Sequence, residues 1–489
     1  MRTIALALIF ALRALFSIAD EPAGFAAGFH DQTMRVDLVH VGNAAEEFVT
    51  LDRVLVQGAW AGSRTHLVDP FGIGRYEARL VDPVTGAVLF SRGFDSYFGE
   101  YRTTGAAAKG LRRAYHESVL TPLPKKTVRF VLLARSGDRS LKEVSAFVID
   151  PTSWTLDRSP LDPAIKVYPA HISGDPHGKV DVAIIGEGYT AAEEGKFKAD
   201  LDRFTKIFLS AEPYAHLRDR FNIRGVLTFS QQSGCSEPSF GAWRTTAVGA
   251  SFDSLGSERY VLTEDNRALR DIAAAAPYDA LYIMVNSPRY GGGGIYNLFC
   301  TFTTDNQWAE YIFLHEFGHT FGGLADEYYT SSVAYNDFYP KGIEPAEANI
   351  TALLDPANVK WKALVTPGTA MPTPWEKAGF DTMDMAYQKT RGELNERIAR
   401  AKRDGAPRDE VAKLQEDSER LSREHAGKID AYLAASRFAS RVGAFEGAGY
   451  AAQGLYRPML DCLMFSKGAK PFCRVCQAHL ERVIEQYSE

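Results

Sequence analysis

Residues 314–328 read Leu314-His315-Glu316-Phe317-Gly318-His319-Thr320-Phe321-Gly322-Gly323-Leu324-Ala325-Asp326-Glu327-Tyr328. On an α-helix, residues four apart share a face, so His315 and His319 can offer ring nitrogens to one metal ion. Zinc takes such nitrogens at roughly 2.0–2.1 Å, and a catalytic zinc keeps one position open for water. Glu316 projects beside that position, where a carboxylate can take a proton from the bound water. With 11 histidines in 489 residues, chance places such a motif on the order of once in a hundred chains. The competing reading is a buried helix whose histidines merely bond to backbone.

The surroundings favour the metal. Tyr311, Ile312 and Leu314 make the preceding turn apolar, as a core helix requires. Thr304 or Asp305 offers an N-cap, and Gly322-Gly323 stops the helix just after His319. Asp326 follows, where a returning chain can deliver a third ligand.

Helix, glycine stop and a ligand from beyond the stop form the pattern of the metzincin metalloproteases, whose long motif is followed by a Met-turn. Within that clan the stretch resembles the immunoglobulin A peptidases, the igalysins. Val180-Asp181-Val182-Ala183-Ile184-Ile185-Gly186-Glu187-Gly188-Tyr189-Thr190 is similar to the opening strand and turn of that family. Asn286-Ser287-Pro288-Arg289-Tyr290 with Gly291 to Gly294 resembles its glycine-rich segment. Tyr456-Arg457-Pro458 leading to Cys462-Leu463-Met464 resembles its Met-turn region. The likeness spans about residues 165 to 489, and more weakly the part before.

One departure bears on the ligands. The usual metzincin spacing lands on Gly322 and then Ala325, and alanine cannot bind metal. Counting from Gly323 reaches Asp326, with Glu327 as the alternative. Either carboxylate suits zinc, at roughly 2.0–2.2 Å. The resemblance also implies that Met464 floors the zinc without ligating it. It implies further that residues 281–286 and 291–294 bind peptide backbone by β-addition.

Met1-Arg2 is a short basic start, residues 3–19 are almost wholly apolar apart from Arg13, and Ser17-Ile18-Ala19 places small residues where a signal peptidase cuts. A membrane anchor would need ~20 apolar residues, so residues 1–19 are expected to be a cleaved signal peptide, leaving a secreted or periplasmic protein with no membrane attachment. A net charge of −6 gives no basic footprint for nucleic acid. Oligomeric state is not legible.

Residues 28–150 hold strand candidates at 34–41, 76–81, 127–133 and 144–149, punctuated by Gly, Pro and Asp, and are expected to form an N-terminal antiparallel β-sandwich. The proline-bearing stretch 151–169 is the boundary to a metzincin-like α/β catalytic domain over 165–489. The whole is therefore of the α+β class. Within the catalytic domain, residues 385–440 are a helical insertion: charged, thinly striped with Val411, Leu414, Leu421, Ile429 and Leu433, and broken at Gly405-Ala406-Pro407. Such a hairpin can overhang the cleft.

Residues 182–191 fit a dinucleotide fingerprint loosely, but its acid, Asp200, falls in a helical run and not at the end of a second strand. The turn is read as the first strand of the protease sheet passing to its backing helix. Of the five cysteines, Cys235 can pair with Cys300, and Cys462 with Cys473 or Cys476. Cys473-Arg-Val-Cys476 lacks a second C-x-x-C to complete a structural zinc site, so a disulfide is its expected use.

The sequence thus points to a secreted zinc endopeptidase acting on protein or peptide substrates. His315, His319 and Asp326 bind zinc in this reading, and Glu316 is base and acid. Two alternatives stay open: a secreted binding or adhesion protein with structural zinc, and a zinc hydrolase of a non-peptide amide.

Overall fold

The computed structural model describes residues 24–330 and 339–488. The leader expected over 1–19 lies outside the described residues. No described helix is long and apolar enough to cross a membrane.

The N-terminal part consists of α1 (Phe25–Gly28), β1 (Phe29–Gly42), β2 (Glu47–Val56), β3 (Tyr76–Val81), β4 (Val88–Phe94), α2 (Tyr97–Tyr101), α3 (Gly105–Ala108), β5 (Arg113–Pro124), β6 (Val128–Arg135) and β7 (Leu141–Ile149). The strands form two antiparallel sheets, ordered β2-β1-β5 and β4-β3-β6-β7. Val36 and Leu38 from one sheet and Ala78, Leu80 and Phe130 from the other share one buried core, the arrangement expected of a sandwich. The strands at 47–56, 88–94 and 113–124 carry weaker alternation and emerge only from pairing.

The second part begins with β8 (Lys166–His171), β9 (Val180–Glu187), α4 (Glu194–Phe208) and β10 (Phe221–Leu227), then α5 (Asn266–Ala273), β11 (Ala280–Val285), β12 (Gly292–Ile295), β13 (Phe299–Thr303) and α6 (Ala309–Thr320). Six strands form one sheet, ordered β12-β13-β11-β9-β10-β8 and antiparallel only at its two ends. The central strands β9 and β11 are buried at every position, as a sheet covered on both faces requires. Thr190 and Glu193 close a capping box that leads into α4. Asp200 is buried on α4 and bonded to Tyr189, Lys196 and Arg203, a structural use of this acid. Helices α4 and α6 meet the sheet through aromatic contacts, with Tyr282 stacked on Phe313 at 4.6 Å and on Phe317 at 5.0 Å.

The chain ends in α7 (Lys377–Arg403), α8 (Arg408–Ala434), the hairpin β14 (Phe445–Ala448) and β15 (Ala451–Arg457), and α9 (Arg474–Tyr487). The helical pair starts at Lys377, ahead of the expected 385, because Phe380 and Asp384 are buried on its first turns. Leu414, Ile429 and Leu433 are the buried members of the stripe on α8. The two parts of the chain are bonded to one another, for example Arg35 to Asp271 and Asn297 to the carbonyl of Gly93.

Three expectations need correction. Helix α6 starts at Ala309 with Trp308 at its N-cap and no side-chain cap, because Asn306 instead accepts from the Trp308 amide. The segment 281–286 is interior, held between β9 and β13, and so offers no free edge. All five cysteines are free and buried. Cys300 lies within β13, inside the sheet core, while Cys235 belongs to the other core cluster.

Candidate active site

Helix α6 packs on β12 and β13, and the glycines of β12 permit the approach. A Cβ on Gly294 would sit 2.6 Å from the carbonyl oxygen of Glu316, and one on Gly292 would sit 3.1 Å from Glu316 Oε1. The glycine run therefore lets the edge strand lie against the motif helix. Gly292 also bonds on its outer side to residues 259 and 261, so that stretch of edge is already covered.

The helix ends as the glycine pair requires. Gly323 adopts φ 57, its amide bonds to the His319 carbonyl, and the Leu324 amide bonds to the Gly318 carbonyl. This αL stop reverses the chain over the helix end. The returning segment is clamped by Asn349, whose side chain exchanges two 2.8 Å hydrogen bonds with the backbone of Ala325. Gly449 and Tyr450 of the β14–β15 turn bond to the carbonyls of Asp326 and Tyr328.

These contacts bring His315, His319 and Asp326 together. The two Nε2 atoms are 3.2 Å apart, and Asp326 Oδ1 lies 3.1 and 3.2 Å from them. Zinc bonds of about 2.0–2.1 Å imply ligand–ligand edges of about 3.3–3.4 Å, so the three atoms outline one face of such a tetrahedron. The outward nitrogens fix the tautomers. His315 Nδ1 lies 3.0 Å from the Leu463 carbonyl and His319 Nδ1 2.6 Å from the Leu324 carbonyl. A carbonyl only accepts, so both Nδ1 atoms carry a proton and each ring turns its Nε2 inward, the atom a metal would take. Asp326 Oδ1 is buried, and among the described residues no donor other than the two histidine rings reaches it, as suits a ligand atom. The residues therefore fit a divalent metal.

The electrostatics agree. Burial works against a charged His319, but Asp326 and Glu316 more than offset it and raise its pKa to about 9. Burial likewise works against the Asp326 carboxylate, yet His319 and His315 hold it well below its ordinary range. The pocket thus calls for a positive charge. Burial raises the Glu316 carboxyl, with the two histidines opposing.

A cleft of about 220 Å³ opens over these groups and includes Glu316 on its wall. Tyr387, Arg391 and His425 of the α7–α8 hairpin line the same cleft. Met464 is fully buried, and a Cβ on Gly318 would meet its sulfur at 2.8 Å, so it lies against the helix between the two histidines.

Residues 169–484 match the family described as IgA Peptidase M64, and residues 24–145 match the Peptidase M64 N-terminus. The chain belongs to the IgA peptidase M64 family. Membership makes it a peptidase, with proteins or peptides as substrates, in a family of metalloenzymes. No curated protein matches the chain.

Glu327, the alternative third ligand, is turned away from the histidines and grouped with Cys462, Cys473 and Cys476. Sequence reasoning missed several groups around the peptidase centre. Tyr450 donates its hydroxyl to Asp326 Oδ2, Arg259 donates to the Tyr328 hydroxyl at 3.2 Å, and the Tyr328 ring lies parallel to His315. Tyr450 and Arg259 come from distant segments, and no local spacing announces them.

Proposed function

We propose that this peptidase is a zinc-dependent endopeptidase in which His315, His319 and Asp326 hold the metal and Glu316 moves the proton. The carrying observation is the convergence of three metal-ligating atoms within 3.2 Å of one another, at the floor of a cleft that also exposes Glu316. When bound, the metal supplies Lewis acidity, polarising a carbonyl and lowering the pKa of water.

The remaining work falls to the chain. Glu316 accepts a proton from the attacking water as its oxygen bonds to the scissile carbon. It then returns that proton to the amide nitrogen as the C–N bond breaks, so the leaving group departs as a neutral amine. The carbonyls of Leu463 and Leu324 hold the imidazoles in register, and Tyr450 holds Asp326. Arg259 places a cation on the cleft wall, where it favours negative charge developing on substrate oxygen.

The cleft that would take the peptide is lined by residues of β12 and of the α7–α8 hairpin. The leader-like residues 1–19 extend the proposal to a secreted or periplasmic protein, whose mature N-terminus would follow Ala19. A mixed peptide library incubated with the purified chain tests the main reading. Internal peptide bonds should be cut, the activity should vanish on chelation, and zinc should restore it. Cleavage that persists in chelator would sink it.

A further inference from the structure

Behind the Met-turn lies a second group of chemistry-bearing side chains that peptide hydrolysis does not use. Glu327, Cys462, Cys473 and Cys476 are each buried, and their ligating atoms all lie within 4.8 Å of one another. We propose that these four residues form a second, structural metal site, with zinc as the fitting ion.

The distances separate this from a disulfide. Cys476 Sγ is 3.5 Å from Cys473 Sγ and 3.8 Å from Cys462 Sγ, whereas bonded sulfurs stand about 2.05 Å apart. Zinc–thiolate bonds of about 2.3 Å give tetrahedral edges of about 3.8 Å between sulfurs and about 3.5 Å between sulfur and oxygen. Glu327 Oε1 lies 3.2 Å from Cys476 Sγ and 4.0 Å from Cys473 Sγ. The four atoms are therefore spaced as the corners of one coordination shell.

The surroundings present backbone donors and a helix end to the sulfurs. Cys462 Sγ receives backbone amides from Cys473 at 3.1 Å and Met464 at 3.4 Å. Cys473 is the N-cap of α9 and Cys476 lies in its first turn, where the helix end favours negative charge. Among the described residues Glu327 Oε2 is buried with no hydrogen-bond partner, and Oε1 takes only Asn349 and the weak thiol donors. A buried carboxylate left in that state is strongly disfavoured. A divalent cation removes the deficit.

The fold completes what the sequence leaves unfinished. Cys473-Arg-Val-Cys476 supplies two corners as a local pair, while Cys462 and Glu327 arrive from separate segments. The placement has a consequence. Glu327 follows Asp326, and Cys462 precedes the Leu463 carbonyl that orients His315. One ion would tie both segments from behind and hold the peptidase centre in shape. The site itself stands without the catalytic reading; this buttressing role rests on it.

Metal counting on the purified full chain, grown with zinc, tests the proposal. Two zinc ions per chain are expected. His315→Ala should keep one and Cys476→Ser should keep one, so failure at either centre is read separately. Because Cys476→Ser can disrupt folding, cobalt exchanged into the unaltered chain and into His315→Ala gives an independent reading. Strong sulfur-to-cobalt charge-transfer absorption is expected in both. One metal per chain with no such absorption, or a disulfide among these three cysteines in the non-reduced protein, would overturn it.

Discussion

The backbone amide of Glu327 donates to the carbonyl of Met464 at 2.8 Å. This bond joins the segment that delivers Asp326 to the turn that floors the histidine helix. It also fixes the direction of both carboxylates. Adjacent residues in an extended segment point to opposite sides, so Asp326 faces the histidines and Glu327 faces the cysteines.

Asp326→Ala should therefore release the metal held by the two histidines, while Glu327→Gln should leave it bound. Metal content of the two variants, each compared with His315→Ala, decides between them. Retention of that metal in Asp326→Ala, with loss in Glu327→Gln, would reverse the assignment.

Tyr450→Phe removes the hydroxyl that holds Asp326 Oδ2 while keeping the ring packed on Tyr328. Loss of such an outer partner typically weakens metal affinity about 10–100-fold. Competition with a graded chelator should show a shift of that order with little change in melting temperature. An unshifted curve would remove Tyr450 from the centre's support.

How much of this was legible in the sequence varies with distance along the chain. His315, Glu316, His319 and the glycine stop lie on one helix and its end, so their spacing alone announced their grouping. Asp326 required counting past the stop. Tyr450 and Asn349 reach the site through the β14–β15 turn and a long loop, and nothing local marks them. The cysteines misled for the same reason: Cys473-Arg-Val-Cys476 looked incomplete because its other two corners come from Glu327 and Cys462. In the sandwich, strands with clean alternation were visible, whereas β2 carries its hydrophobic residues with exposed neighbours and declares itself only beside β1.

Gly323→Ala should destabilise the chain and depress activity together. A left-handed residue other than glycine costs about 1–2 kcal/mol, and the new Cβ would stand 2.8 Å from Ile73 and 3.0 Å from Tyr296. The αL stop would shift, and with it the Leu324 carbonyl that His319 needs. Thermal melting and peptide turnover should both fall. Unchanged turnover in a variant with a lowered melting temperature would show that the stop does not set the histidine geometry.

The N-terminal sandwich should lose stability both as pH rises past the histidine range and as it falls below the carboxylate range. His40 is buried between Glu117 at 2.9 Å and Glu47 at 3.2 Å. Burial alone would lower its pKa, but the two carboxylates outweigh it and raise the value. Its contribution is thus complete below the unfolded histidine range and lost as pH rises through the raised folded value. Burial opposes ionised Glu47, yet the His40 bond, Arg102 and Tyr76 bring its pKa down from 4.5 to about 2. That contribution is complete above 4.5 and lost as pH falls toward 2. Calorimetry of the full chain and of His40→Gln across pH should show that the variant lacks the decline with rising pH. Parallel profiles would contradict this.

The central claim is that Glu316 moves the proton without holding the metal. Glu316→Ala, assayed for peptide turnover and metal content on one preparation, tests it most directly. Turnover should fall by roughly 10²–10⁴-fold or more, with the histidine-bound metal at full occupancy and an unchanged melting temperature. Near-normal turnover, or a loss of activity that only tracks loss of metal, would contradict the account.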